Sequence, residues 1–158
     1  MSSLNFTNIL TQTVDELSES TSYKGLIRQH TDGNPLPSGA MLCEIVELAR
    51  AILFPGYFGN ATLNSRTINY HIGVNVERLM ELLTQQILAG LCSVEENSNQ
   101  AYGEELRLKA ANLSAQFIAQ LPQIRKLLAT DVEAAYNGDP AATSYGEVIS
   151  CYPAIKAI

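Results

Sequence analysis

Thr67–Cys92, TINYHIGVNVERLMELLTQQILAGLC, decides the fold. Its apolar residues Ile68, Ile72, Val76, Leu79, Leu83, Ile87 and Leu91 recur every three or four positions, the period of one face of an α-helix. A continuous helix of that length reaches about 40 Å at 1.5 Å per residue, which makes it the backbone of whatever domain forms.

Upstream, Pro35-Leu-Pro37 stops the chain and Ser38 offers an N-cap. Met41, Leu42, Ile45, Val46, Ala49, Ile52 and Leu53 then repeat at helical spacing until Pro55-Gly56 ends the run. Further toward the N-terminus, Leu4, Ile9, Leu10, Val14 and Leu17 mark a first helix, broken by the polar Ser18–Ser22. Downstream of a polar loop at Val94–Gln100, a helix carries Leu106, Ala110, Leu113, Phe117 and Leu121. Pro122 opens or kinks into the next, with Ile124, Leu128, Val132 and Ala135 inward, and Asn137-Gly138 supplies a left-handed terminator. Ser144 with Glu147 three residues on is a capping box for a short last helix. No stretch alternates as a strand does, and no tandem repeat is visible. The expectation is an all-α single domain over 1–158, a helical bundle of about five to six helices.

With 158 residues, 46% of them hydrophobic, the chain can bury one core comprising roughly 70% of its unfolded surface. No apolar run approaches the ~18 residues of a membrane span, and MSSLNFTNIL lacks the basic and apolar regions of a signal peptide. A cytoplasmic location is the default expectation. The net charge of −6 repels phosphate backbones and anionic lipid, so neither nucleic acid nor membrane is an expected partner. Cys43, Cys92 and Cys151 form no CxxC pair and have no His at ligand spacing, so no metal is expected. They read as reduced thiols, buried as small hydrophobes on apolar helix faces.

Few residues suggest chemistry. His30 lies in a loop and His71 beside the long apolar stripe, neither with a nucleophile or acid in a known constellation. Glu95-Glu96 and Glu104-Glu105 are sequence neighbours and so diverge around a helix as solvated charge. Phe54-Pro-Gly-Tyr-Phe-Gly59 could cradle phosphate through its glycines, but it lacks the Lys-Ser/Thr of a P-loop and a preceding strand. It reads as a sharp turn packed by aromatics. Asp139, between Gly138 and Pro140, is pushed out of helical geometry and projects a carboxylate from a fixed turn. Its plain reading is an Asx turn that ends a helix.

The segment Asp131–Ile158 contains Asp131-Val-Glu-Ala134, Asp139-Pro-Ala141, the short helix from Ser144 to Cys151 and the dipeptide Tyr152-Pro153. In that order these resemble the stretch leading into the catalytic domain of serine O-acetyltransferases. ILFPGYFG, ending at Gly59, looks like a helix end in bacterial members with long N-terminal extensions. The resemblance implies the helical N-terminal domain of an enzyme that transfers acetyl from acetyl-CoA, its co-substrate, to the L-serine hydroxyl for cysteine biosynthesis. The family's left-handed β-helix of hexapeptide repeats, with its catalytic His and acetyl-CoA cleft, has no counterpart here. No catalytic, cofactor-binding or metal residue is therefore assigned, and the chain alone is expected to be inactive. Pro153 followed by Ala154-Ile-Lys-Ala-Ile158 reads as an uncapped opening helix turn with Ile155 and Ile158 unpartnered, so truncation is expected.

By the same resemblance Asp139 contributes to the L-serine pocket, and the domain is a homo-oligomer, dimeric alone and hexameric in the full enzyme. O-acetylserine sulfhydrylase, a partner of the family, docks on a C-terminal tail beyond the β-helix, so Ile158 does not inherit that role. The alternative reading is a free-standing helical interaction module without enzymatic activity.

Overall fold

The computed structural model describes residues 6–24, 36–59, 62–94 and 103–156. They form helices α1 (Phe6–Ser18), α2 (Ser20–Tyr23), α3 (Gly39–Leu53), α4 (Ile68–Val94), α5 (Glu104–Gly138), α6 (Tyr145–Cys151) and α7 (Pro153–Lys156). The all-α expectation holds, and the helices divide between two compact units, Met1–Gly33 and Asn34–Ile158. Leu4, His30, Pro35, Glu95-Glu96 and Ile158 lie outside the described residues.

In the first unit α1 carries the expected apolar stripe, yet none of its residues is buried. Phe6, Leu10 and Leu17 are each about two-thirds or more exposed, at 72%, 67% and 67%. Gln12 donates to Glu16 one turn on, at 2.8 Å, a surface pair that supports the helix locally.

In the second unit α4 is the axis, packed mainly by α5 and α3. Its N-terminus is set by Asn64, whose side-chain oxygen accepts from the backbone N–H groups of Arg66 at 2.9 Å and Thr67 at 3.2 Å. Thr67 Oγ1 in turn accepts from Asn64 N at 3.1 Å, closing a reciprocal cap. The buried line of α4 is Leu79, Leu82, Gln86 and Ala89, rotated from the expected 79, 83, 87, 91. Gln86 is the reason. Its Oε1 accepts from Ser38 N at 2.7 Å and its Nε2 donates to Met41 Sδ at 3.0 Å, so it ties α4 to the start of α3. A buried amide is tolerated because both ends are partnered. Ser38 caps α3 as expected, accepting from Met41 N at 3.4 Å.

The two helices expected to meet at Pro122 are one, α5, with Pro122 inside it. An interior proline costs about 3 kcal/mol. Leu121, Leu128 and Val132 are all buried, and at roughly 1.5–3 kcal/mol each their burial outweighs the break. The inward face of α5 also departs from expectation: Leu113 and Phe117 are 41% and 39% exposed, while Ser114 is buried. Its hydroxyl donates to Ala110 O at 2.9 Å, so the small side chain enters the core with its polar atom satisfied.

The cysteines correct another expectation, since Cys43 and Cys151 are exposed and Cys92 is half-buried. The helical period explains this. Cys43 sits two residues from buried Ile45, and Cys151 two from buried Ile149, a rotation of about 200° around each helix. Ile155, expected to lack a partner, is buried and joins the core cluster with Ile45, Ile52, Phe54, Val148 and Ile149. Among the described residues no helix is long and apolar enough to cross a membrane.

Candidate functional site

The acidic turn between α5 and α6 is where sequence and structure converge. Gly138 was expected to end α5 in the left-handed region. Instead the helix runs through it and ends at Asp139, whose backbone is extended at φ −113°, ψ 105°. Positive-φ glycines occur only at Gly56 and Gly59 among the described residues. Pro140 explains the exit, because its ring disfavours helical geometry in the preceding residue.

Asp139 then organises the turn with three acceptor atoms. Its backbone O accepts from Ala142 N at 3.0 Å and its Oδ1 from Ala141 N at 2.9 Å, the Asx turn that the plain reading describes. Its Oδ2 accepts from the Tyr152 hydroxyl at 2.5 Å. Tyr152 caps the C-terminus of α6, its N–H donating to Val148 O at 3.2 Å. One carboxylate therefore links the end of α5 to the end of α6.

The capping box at α6 forms in a modified way. Ser144 Oγ accepts from Glu147 N at 3.1 Å, but Glu147 Oε2 reaches past Ser144 to accept from Thr143 N at 2.8 Å and Thr143 Oγ1 at 2.6 Å. Two carboxylates thus face one short loop, which supplies their donors together with the Tyr152 hydroxyl from beyond α6.

The electrostatics follow from these bonds. The Tyr152 hydroxyl, then the Ala141 N–H, stabilise the ionised form of Asp139 and lower its pKa. Glu147 is likewise lowered, by the Thr143 hydroxyl first and its N–H second. The bond to Asp139 favours protonated Tyr152, whose pKa is pushed up to about 12. The turn at neutral pH holds an ionised Asp139 that keeps about two of its four lone-pair sites for other donors.

Other sites expected from sequence resolve more simply. Phe54-Pro-Gly-Tyr57 is a β-turn closed by Tyr57 N on Phe54 O at 3.1 Å, with Pro55 at its second position and Gly56 at φ 89° in its third. Gly59 is also left-handed, at φ 85°. Phe54 and Phe58 pack with ring centroids 6.1 Å apart, so the aromatic turn reading is the one realised. His71, half-buried on α4, places Nε2 2.9 Å from Asn75 Nδ2. Glu104 and Glu105 are exposed in the first turn of α5, where negative charge suits the helix dipole. Sequence reasoning gave Tyr152 no role. Only its place in the aromatic-Pro dipeptide hinted at one, because the contact spans thirteen residues.

An all-α domain whose last helices are closed around an ionised Asp-Pro-Ala turn is thus defined. No family model matches the chain. It is 40% identical over 126 residues to "Serine acetyltransferase, plasmid" of Synechococcus elongatus. The chain is related to the serine acetyltransferase family. The match covers 78% of this chain and 40% of that relative's length.

Proposed function

We propose that this chain is the N-terminal helical domain of a serine O-acetyltransferase, serving in oligomerisation and contributing Asp139 to the L-serine pocket. The parent enzyme would transfer acetyl from acetyl-CoA to the serine hydroxyl, yielding O-acetylserine for cysteine synthesis. The observation that carries this reading is the 40% identity to a protein named as a serine acetyltransferase. Chemistry at the turn supports Asp139: an ionised carboxylate with spare lone pairs on a fixed loop suits an ammonium or hydroxyl donor. Tyr152 acts as its positioning residue, holding Oδ2.

The test uses the full-length protein and the 158-residue chain side by side. The former should release coenzyme A with serine, and the latter should show no turnover and no acetyl-CoA binding. Full-length protein without serine-dependent coenzyme release would leave the free-standing interaction module as the better reading. Asp139→Ala in the full-length enzyme should lower kcat/KM for serine roughly ten- to a hundredfold, with the KM for acetyl-CoA little changed. Intact serine kinetics beside a lowered melting temperature would reduce Asp139 to the turn it forms. The isolated domain should be a homodimer by light scattering at high micromolar concentration.

A further inference from the structure

A groove of about 490 Å³ opens between the Phe54–Tyr57 turn, α5 and α6, away from the Asp139 carboxylate. Its volume lies in the range of small-molecule sites. The floor is apolar, from Leu53, Val132 and Ile149. Two tyrosines line it, and both are held in place. Tyr57 lies over Gly146, so close that a Cβ there would meet its ring at 3.2 Å. Tyr145 packs edge-on against Tyr136 at 4.8 Å between centroids. The aromatic turn that the sequence singled out is therefore part of a preformed concavity.

Arg125 supplies the polar group. One guanidinium N–H donates to Ile52 O at the C-terminus of α3. Its Nε is shielded from solvent and has no hydrogen-bond partner. No carboxylate among the described residues pairs with Arg125: the ion pairs of this unit involve Arg50 and Arg78. Arg125 is half-buried on the groove with one neutral acceptor and no carboxylate partner among the described residues, and the counterpart that suits its guanidinium best is a carboxylate, which it matches in shape and charge. Glu133, the other charge on the groove, lies eight residues further along α5, about 12 Å at 1.5 Å per residue. A ligand's anionic end therefore belongs at the Arg125 end.

We propose that this groove is a binding site for a small aromatic carboxylate, its ring between Tyr57 and Tyr145 and its anionic group on Arg125. The site is independent of the serine pocket and of the acetyltransferase reading.

The test titrates the 158-residue chain with 3-phenylpropionate and, as probes of similar shape, 3-phenylpropanol and 2-phenylethylamine. Amide shifts and calorimetry are the readouts. The carboxylate should bind saturably, about tenfold or more tighter than the alcohol, since a charged hydrogen bond is lost with the latter. The shifts should centre on Tyr57, Ala129 and Ile149. Ala129→Phe, on the exposed side of α5, should fill the groove and abolish binding with the melting temperature kept. Arg125→Gln removes the cation from the groove and should bring the carboxylate down to the affinity of the alcohol. The proposal is overturned by absence of saturable binding, by equal or tighter binding of the alcohol or the amine, or by unchanged binding in a folded Ala129→Phe. Should Ala129→Phe not fold, a carboxylate preference persisting in Arg125→Gln overturns it alone.

Discussion

Of the three described helices whose cap residue is followed by proline, α3, α5 and α6, the first two end in different ways. At the close of α3, Phe54-Pro-Gly-Tyr57 turns on its own backbone: Gly56 takes φ 89° and Tyr57 N closes the bond to Phe54 O. At the close of α5, Asp139-Pro-Ala141 turns in extended geometry, and a side chain does what glycine does in the other. The glycine turn is closed by a backbone bond alone and is complete within four residues. The aspartate turn depends on ionisation and on Tyr152, thirteen residues away. A backbone turn closes through its own peptide groups, whereas a side-chain turn keeps a carboxylate with acceptor sites still open.

The largest effect should come from the core beneath the glycine turn. Ile52 is 2% exposed and belongs to the main cluster. Ile52→Ala should cost about 2–5 kcal/mol in denaturant unfolding, through lost burial and the cavity left. A cost under about 1 kcal/mol would mean that the turn, not the packing under it, sets the position of α3.

Next in size is Gly56→Val. Nothing lies within 4 Å of a Cβ built there, so the whole effect is backbone strain at φ 89°. A β-branched residue forced into that region should lose about 1–3 kcal/mol, equally at acid, neutral and alkaline pH. A smaller loss is expected for Ser144→Ala, which removes the cap of α6 beside the aspartate turn, about 1 kcal/mol. Cap removal that leaves serine kinetics of the proposed full-length enzyme unchanged would separate the helix start from the proposed pocket.

How much of this was legible follows the same division. The helices, the Ser38 and Ser144 caps and the glycine turn are local, and their residues announce them within a few positions. Asn64 too carried a local signal, as an Asn three residues before Thr67 at the head of the long helix. What was not legible depends on partners distant in sequence. Gln86 is buried because Ser38 N and Met41 Sδ meet it, across 48 and 45 residues. Pro122 stays within α5 because of the burial of Leu121 and Leu128, which propensity does not count. Ser114 displaces Leu113 and Phe117 from the inward face because α5 lies close along α4. The Asp139 turn was readable as a turn, while the hydroxyl that tunes it was not.

The smallest and most specific effect concerns that hydroxyl. Tyr152→Phe removes the bond to Asp139 Oδ2 and little else, so its stability difference from the unaltered chain should depend on pH at both ends. The bond requires an ionised aspartate and a protonated tyrosine. Asp139 has a lowered pKa, so its contribution is present above the ordinary aspartate value and is lost as pH falls through the depressed one. Tyr152 is raised to about 12, so its contribution is complete below the ordinary value of 10.0 and is lost as pH rises toward 12. Melting-temperature differences between the two proteins should thus be greatest across the neutral range and shrink toward both extremes, while Gly56→Val shows no such profile. A flat difference for Tyr152→Phe would mean that the ring, not the hydroxyl, holds the turn, and the contrast between a backbone turn and a titratable one would fail at its acidic member.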